Sequence, residues 1–235
     1  MIKQKKSGNL IIISGTTCAG KGTVINKLLE RNHNLALSIS YTSRPIRDGE
    51  TNGKDYIYIS RDEFEEKIKN GDFLEYAKSH REDYYGTPKK ELQEILAKGK
   101  DVILEVNVDG AKNIKEMFPE VLLIFIMAPS MEEVKKRIKE RGKESPKQII
   151  ERFKSAYREI NEIPHYNYVV INDKVINAVD KIEAIIKASK CQVDRIEAIN
   201  VESEEEILHE FLIEEKFDNK PISEKIMENN KWKLN

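Results

Sequence analysis

The feature that most narrows what this chain can fold into is a short apolar run that stops at a cluster of glycines. Residues 10–14 read Leu-Ile-Ile-Ile-Ser, and Gly15, Thr16, Thr17, Cys18, Ala19, Gly20, Lys21, Gly22 and Thr23 follow at once. The run is short and rich in isoleucine, so it reads as a strand buried on both faces. Past the glycines, Val24, Leu28 and Leu29 fall at helical spacing. The order is therefore strand, tight loop, helix, with the glycine, four residues, glycine, lysine spacing of a P-loop. In such a loop, consecutive backbone N–H groups and the helix N-terminus converge on phosphate oxygens. Lys21 adds a point charge between the β and γ phosphates. The whole stretch from Gly15 to Thr23 is expected to bind ATP. Gly22 follows Lys21 and the hydroxyl comes one place later, so Thr23 is the candidate Mg2+ ligand, with water and the nucleotide itself as alternatives.

The rest of the chain extends this unit into an α/β architecture. Strands are expected at Leu35 to Ser40, Asp101 to Val108, Val121 to Met127 and Tyr168 to Ile171. Helices are expected at Lys89 to Ala97, Met131 to Arg141, Pro146 to Ile160 and Val175 to Ala188. This alternation predicts an open, mostly parallel sheet with helices on both faces. It is interrupted between Asp55 and Tyr85, where short strands at Asp55 to Ile59, Phe73 to Ala77 and Tyr84 to Tyr85, with a helix at Asp62 to Lys69, predict a small subdomain. Beyond Ala188 the pattern weakens, leaving acidic helices at Ser203 to Glu214 and Ser223 to Asn229.

Charge and cysteine content exclude several classes. The net charge is −1, so no global positive field argues for nucleic acid. Cys191 to Asn235 carries 12 acidic against 6 basic residues, which leaves the preceding body mildly basic and compatible with anionic substrates. Cys18 and Cys191 are far apart and form neither a disulfide framework nor a metal-ligand pair, which predicts a reducing, cytoplasmic setting. No apolar run approaches the length of a membrane span.

A P-loop alone fits an ATPase, a GTPase or many small-molecule kinases. The chain narrows this through Ser40-Tyr41-Thr42-Ser43-Arg44-Pro45-Ile46-Arg47-Asp48-Gly49-Glu50, Asn52-Gly53-Lys54-Asp55-Tyr56, Gly71-Asp72-Phe73-Leu74-Glu75-Tyr76 and Tyr84-Tyr85-Gly86-Thr87-Pro88. With Leu104 to Gly110, Arg137 to Gly142 and Val169 to Asp173, these resemble the guanylate kinase family in unbroken order over residues 8–188. The resemblance implies a P-loop-type parallel sheet flanked by helices, a small mixed α/β GMP-binding subdomain at 41–88 and a helical lid at 137–158; an acidic, helical extension at 189–235, of unknown partner, follows it. It implies Mg2+-dependent transfer from ATP to GMP, with dGMP as a further candidate acceptor. By position, Arg44, Arg47, Tyr56 and Tyr85 would hold the GMP phosphate, as arginine forks and phenol hydroxyls suit a dianion. Ser40, Glu75, Thr87 and Asn107 would face guanine, and Glu50 would orient the arginines. A carboxylate at Glu75 accepts from guanine N1–H and the exocyclic amine, a pair that adenine lacks. Lys21, Arg44, Arg137, Arg141 and Arg152 would serve transfer, and Asn172 the ATP side.

Three departures from the family pattern bear on function. Asn107 stands where an acid is usual and Asp109 where glutamine is usual; read as strand residues, the two share a face about 6 to 7 Å apart. One extra residue between Glu75 and Tyr85 is expected to lengthen a hairpin tip at Ser79 to Asp83. Cys18 replaces a common glycine, which is tolerable if that position does not need a positive φ. Two other readings stay open: a nucleoside monophosphate kinase of altered purine preference, and a catalytically weak binding or scaffold domain.

Overall fold

A computed structural model describes residues 2–4, 8–79, 82–140, 146–192 and 196–199. The chain divides into two compact units, one spanning residues 6–192 and the other made of 1–5 and 193–235. In the smaller unit, β1 (Ile2–Gln4) pairs antiparallel with β11 (Ile196–Ile199), a long-range pairing that no local pattern announces. The helices expected at 203–214 and 223–229 lie outside the described residues.

In the larger unit, β2 (Leu10–Gly15), β3 (Leu35–Leu37), β8 (Asp101–Glu105), β9 (Leu122–Met127) and β10 (Tyr168–Ile171) form a parallel five-stranded sheet in the order β10-β9-β2-β8-β3. The strand carrying the glycine loop is central, with apolar strands on both sides, which is why it reads as an unbroken hydrophobic run. Its residues alternate between two cores. Ile11 and Ile13 pack with Val24, Ile25 and Leu28 of α1 (Lys21–Arg31) and with Ala178, Val179 and Ile182 of α7 (Val175–Ser189). Ile12 faces the other way, toward Leu92 of α3 (Lys89–Ala97) and Ala111 and Ile114 of α4 (Val108–Met117). Both faces are thus covered by helices. Order reverses beside β2, and such a switch point opens a crevice at the carboxyl ends of the strands.

A mixed four-stranded sheet, ordered β5-β4-β7-β6, forms from β4 (Tyr41–Thr42), β5 (Ile57–Tyr58), β6 (Phe73–Lys78) and β7 (Tyr84–Pro88). It packs around Phe64 of α2 (Arg61–Asn70), whose ring stacks on Phe73 at 4.4 Å and on Tyr84 at 5.0 Å. Gly86 makes this possible, because a Cβ there would meet the Phe64 and Phe73 rings at 2.9 Å. Helix α2 begins at a capping box between Ser60 and Glu63 and ends at Gly71 with φ +72°. The helices α5 (Met131–Glu140) and α6 (Pro146–Asn161) join through Val134, Ile138 and Ala156.

Three expectations need correction. The strand expected to run to Val108 ends at Glu105, and Asn107 instead caps α4, its Oδ1 accepting from Gly110 N–H at 2.8 Å. Asn107 and Asp109 therefore do not share a strand face; Asp109 lies in the first helical turn. The strand expected at Leu35 to Ser40 ends at Leu37, and a further short strand, β4, forms at Tyr41–Thr42. Cys18 does adopt a positive φ, +61°.

Candidate active site

The loop after β2 is held in shape from several directions. Gly15 has φ +146°, and a Cβ there would sit 1.9 Å from the Ile126 carbonyl oxygen, so only glycine fits where the loop leaves the sheet. Thr16 N–H donates to Ile126 O at 3.1 Å, and Ala19 N–H donates back to Thr16 O at 3.0 Å. The Ala19 carbonyl accepts from the buried Asn172 side chain at 2.7 Å and from Arg137 at 3.4 Å. Arg137 also reaches the Asn172 carbonyl at 3.2 Å and pairs with Glu133 at 2.8 Å. Gly20, at φ +83°, is the N-cap of α1, which points the helix's amide end into the loop. Lys21 Nζ donates to the Gly15 and Thr16 carbonyls at 2.9 and 3.2 Å. Cys18, Gly20, Thr23, Arg137, Asn172, Asp173 and Val175 line a pocket on this side. Gly22 is exposed, and a Cβ there would meet nothing within 4 Å.

The second group of side chains is gathered by the mixed sheet. Arg44 is 5 % exposed, and its guanidinium forms a fork to Glu50 with both contacts at 2.7 Å. It also donates to the Tyr85 hydroxyl at 3.1 Å and lies over the Tyr56 and Tyr58 rings at 5.0 and 5.4 Å. Glu50 further accepts from Arg47 N–H at 2.9 Å and from the Tyr58 hydroxyl at 2.8 Å. The Arg44 side chain above all, with these added donors, holds the Glu50 carboxyl down at about 2, and the hydrogen bonds to Glu50 in turn raise the Arg44 pKa. The Arg47 side chain is exposed beside this cluster. Burial, followed by the charge of Glu105, pushes the Tyr56 phenol up to about 12.

A third cluster sits at the junction of β6, β7 and α4. The register sets Glu75 opposite Thr87, and the buried Thr87 hydroxyl donates to Glu75 Oε1 at 2.8 Å. Burial raises the Glu75 carboxyl. A Cβ placed on Gly110 would come 3.3 Å from Asn107 Oδ1 and 3.5 Å from Glu75 Oε2, so all three crowd one spot. Ser40 is half-buried, and its carbonyl accepts from Ile57 N–H at 2.9 Å.

Two carboxylates here escaped sequence reasoning as site residues. Glu105, at the carboxyl end of β8, is raised by desolvation, an effect opposed by the charge of Lys21, and its own charge acts on Tyr56, so it is electrostatically coupled to both the phosphate loop and the tyrosine cluster. Its signal was an acid directly after the apolar run Val102 to Leu104. Glu159 of α6 accepts from Thr17 N–H at 2.7 Å. Arg152 lies half-buried on the inner face of α6, and Arg141 falls outside the described residues.

Among the described residues, no helix is long and apolar enough to cross a membrane, and no group of three or more acidic, histidine or cysteine side chains converges as a metal cage. The family profile described as Guanylate kinase matches residues 7–189. The chain is 54% identical over 207 residues to the guanylate kinase of Clostridium tetani, covering 88% of this chain and 99% of that one. It is 52% identical over 202 residues to the guanylate kinase of Caldanaerobacter subterraneus subsp. tengcongensis, with 86% and 98% covered. The crystal structure of guanylate kinase from Anaplasma phagocytophilum superposes with a TM-score of 0.70 at 34% identity, covering 89% of this chain and 96% of that one.

Proposed function

This chain belongs to the guanylate kinase family, and we infer from that membership and from the site that it is an enzyme carrying a phosphoryl group from ATP to GMP, giving ADP and GDP. The observation that carries the reading is the meeting of a phosphate loop, a buried arginine–tyrosine cluster and a threonine-bound carboxylate, with Glu105 linking the first two.

The mixed sheet from Tyr41 to Pro88 acts as the acceptor subdomain. Arg44, Arg47, Tyr56 and Tyr85 take the GMP phosphate, and Glu50 holds Arg44 in place for it. Of the five N–H donors of a guanidinium, four of Arg44's are engaged by Glu50, Pro45 and Tyr85. The fork is thereby fixed before substrate arrives, and its fifth N–H is the one left to meet the dianion. Glu75 reads guanine: its Oε1 is occupied by Thr87, which turns Oε2 toward the N–H donors of the base, with Ser40 and Asn107 beside it. Thr87 thus selects the carboxylate's orientation.

On the donor side the loop from Gly15 to Thr23 takes the ATP phosphates, and Asn172 supports it by holding Ala19 rather than by touching the base. Magnesium supplies charge neutralisation when it enters with ATP, and Thr23, lining the pocket, is the hydroxyl suited to it. An oxygen of the GMP phosphate attacks the γ phosphorus while the bond to the β–γ bridging oxygen breaks, and that oxygen departs with ADP. Lys21, the loop amides, Arg137, Arg141 and Arg152 stabilise the charge that spreads over the transferring group. Closure of the acceptor subdomain and of a lid over residues 137–158 excludes water. The setting is cytoplasmic, in keeping with two unpaired cysteines.

The altered-preference reading draws on Asn107, whose carbonyl is committed to Gly110 N–H and whose amide donates where guanine also donates. A scaffold reading finds no support, since the loop, Lys21, Arg44 and Arg47 are all in place. The test is ADP release in a coupled assay. It should depend on GMP, and release no faster with GMP than with AMP, UMP or no acceptor would overturn the reading.

A further inference from the structure

We propose that Glu159 is a positioning residue of the phosphate loop: its carboxylate holds the Thr17 amide and so ties α6, with Arg152 on it, to the loop that grips the donor phosphates. Glu159 lies in the last turn of α6, where the negative end of the helix dipole disfavours a carboxylate. Its surroundings supply the reason it is there. Oε2 accepts from Thr17 N–H at 2.7 Å, while Oε1 accepts from the Ser155 hydroxyl at 3.3 Å and from the Thr17 hydroxyl at 3.4 Å. Both oxygens are engaged, and one of the bonds is a short, charge-assisted contact to backbone.

The contact falls at the weakest point of the loop. Thr17 immediately precedes Cys18, whose φ of +61° is a left-handed conformation that an L side chain resists. Thr16 is fixed by β9, and Ala19 by Thr16, Asn172 and Arg137. Glu159 fixes Thr17, the first of the two residues between them, so the strained turn at Cys18 is clamped on both sides. The same helix face contributes a second contact, because Ala156 is buried in the cluster against which Cys18 packs. Arg152, Ser155, Ala156 and Glu159 follow the i, i+3, i+4, i+7 spacing of one face. Holding Glu159 therefore sets the rotation of α6 and the direction in which Arg152 projects. A negative charge beside a triphosphate site would by itself weaken ATP binding. Its presence there fits a clamp, in which the carboxylate is held by the Thr17 amide and the two hydroxyls.

The alternative is a carboxylate that stands in for a phosphate and leaves when ATP arrives; removing it would then tighten nucleotide binding. The proposal rests on the ATP-to-GMP reading, and the experiment separates the two. Wild type, Glu159→Ala, Glu159→Gln, Cys18→Gly and the Cys18→Gly/Glu159→Ala double variant are compared as full-length chains. The readouts are kcat, KM for ATP and for GMP, and ADP affinity by calorimetry. Glu159→Ala should lose about tenfold in kcat/KM for ATP, the scale of one charged hydrogen bond, with the KM for GMP unmoved. Glu159→Gln, which keeps a neutral acceptor, should recover part of the loss. With glycine at position 18 the loop holds its turn unaided, so there Glu159→Ala should cost about threefold or less.

Tighter ADP binding in Glu159→Ala, equal losses for ATP and GMP, or the same loss in both Cys18 backgrounds would each overturn the clamp. If Glu159→Ala does not fold, Glu159→Gln decides by the same criteria. A wild type without GMP-dependent turnover would sink the enzymatic reading alone, since weaker ADP binding in the variants would still support the clamp.

Discussion

Replacing Glu50 by glutamine isolates the interaction on which the acceptor site is built. Arg44 is almost wholly buried, and its guanidinium is neutralised by the Glu50 fork at 2.7 Å. The Glu50 carboxyl is lowered from 4.5 to about 2, chiefly by Arg44. At about 1.36 kcal/mol per pK unit, that interval corresponds to about 3 kcal/mol. The Glu50 side chain is 21% exposed, so solvent screening reduces the expected contribution to about 2 kcal/mol. Because the folded pKa is the lower one, this stabilisation is fully present above pH 4.5 and is lost as pH falls toward about 2. Urea unfolding followed by circular dichroism should therefore show Glu50→Gln less stable by about 2 kcal/mol at pH 7. The gap should narrow by about 1 kcal/mol by pH 3.5. Steady-state kinetics should show KM for GMP raised about tenfold with kcat nearly kept, since Arg44 and the Arg47 amide lose their shared anchor. A variant within about 0.5 kcal/mol of wild type at pH 7, or a gap that does not shrink with acid, would refute this account of the pair.

Glu75→Gln removes one acceptor and presents an amide N–H donor to guanine, so kcat/KM for GMP should fall about 100-fold; retained GMP turnover would remove Glu75 as the base reader. Burial raises the Glu75 carboxyl, so the substitution should not lower the melting temperature. For wild type, kcat/KM for GMP should decline as pH falls through that raised value, because the protonated acid no longer accepts from both donors. Asn107→Asp exchanges one good N-cap for another, so stability should shift by less than about 0.5 kcal/mol. It also turns a second acceptor toward the base, and kcat/KM for GMP should rise severalfold over that for IMP; an unchanged ratio would show that position 107 does not touch the exocyclic amine.

The parts of this molecule that could be read from sequence are those fixed by local pattern. The run Leu10 to Ser14 and the glycines after it specify strand, loop and helix because burial on both faces and a strained turn leave few residue choices. Helix α2 was legible from Phe64 and Ile68 at helical spacing. Helix α4 was missed because Val106 and Val108 prolong a β-branched run, while Asp109 and Gly110 imitate a turn. In the structure the Asn107 cap converts that segment to helix, and Gly110 fits where a Cβ would press on Asn107 and Val106. The pairing of Glu75 with Thr87 depends on strand register, and that of Arg44 with Glu50 on the path of a loop. Family resemblance named these residues and the part of Glu50 in orienting the arginines, but not the bond from Thr87 to Glu75. Glu159 meets Thr17 across 142 positions of sequence, and no spacing rule reaches that far. The positive φ of Cys18 was hinted at only by the glycine common at that position in the family, since cysteine itself gives no sign of the left-handed region.

The central claim is that the loop from Gly15 to Thr23 delivers phosphate to a guanine nucleotide chosen by Glu75. The direct measurement is an equimolar mixture of GMP and AMP incubated with the protein, ATP and Mg2+, with products separated by ion-exchange chromatography. Disappearance of GMP with stoichiometric GDP and ADP, while AMP persists, is the predicted result. Equal consumption of both monophosphates, or ADP formed without GDP, would contradict it.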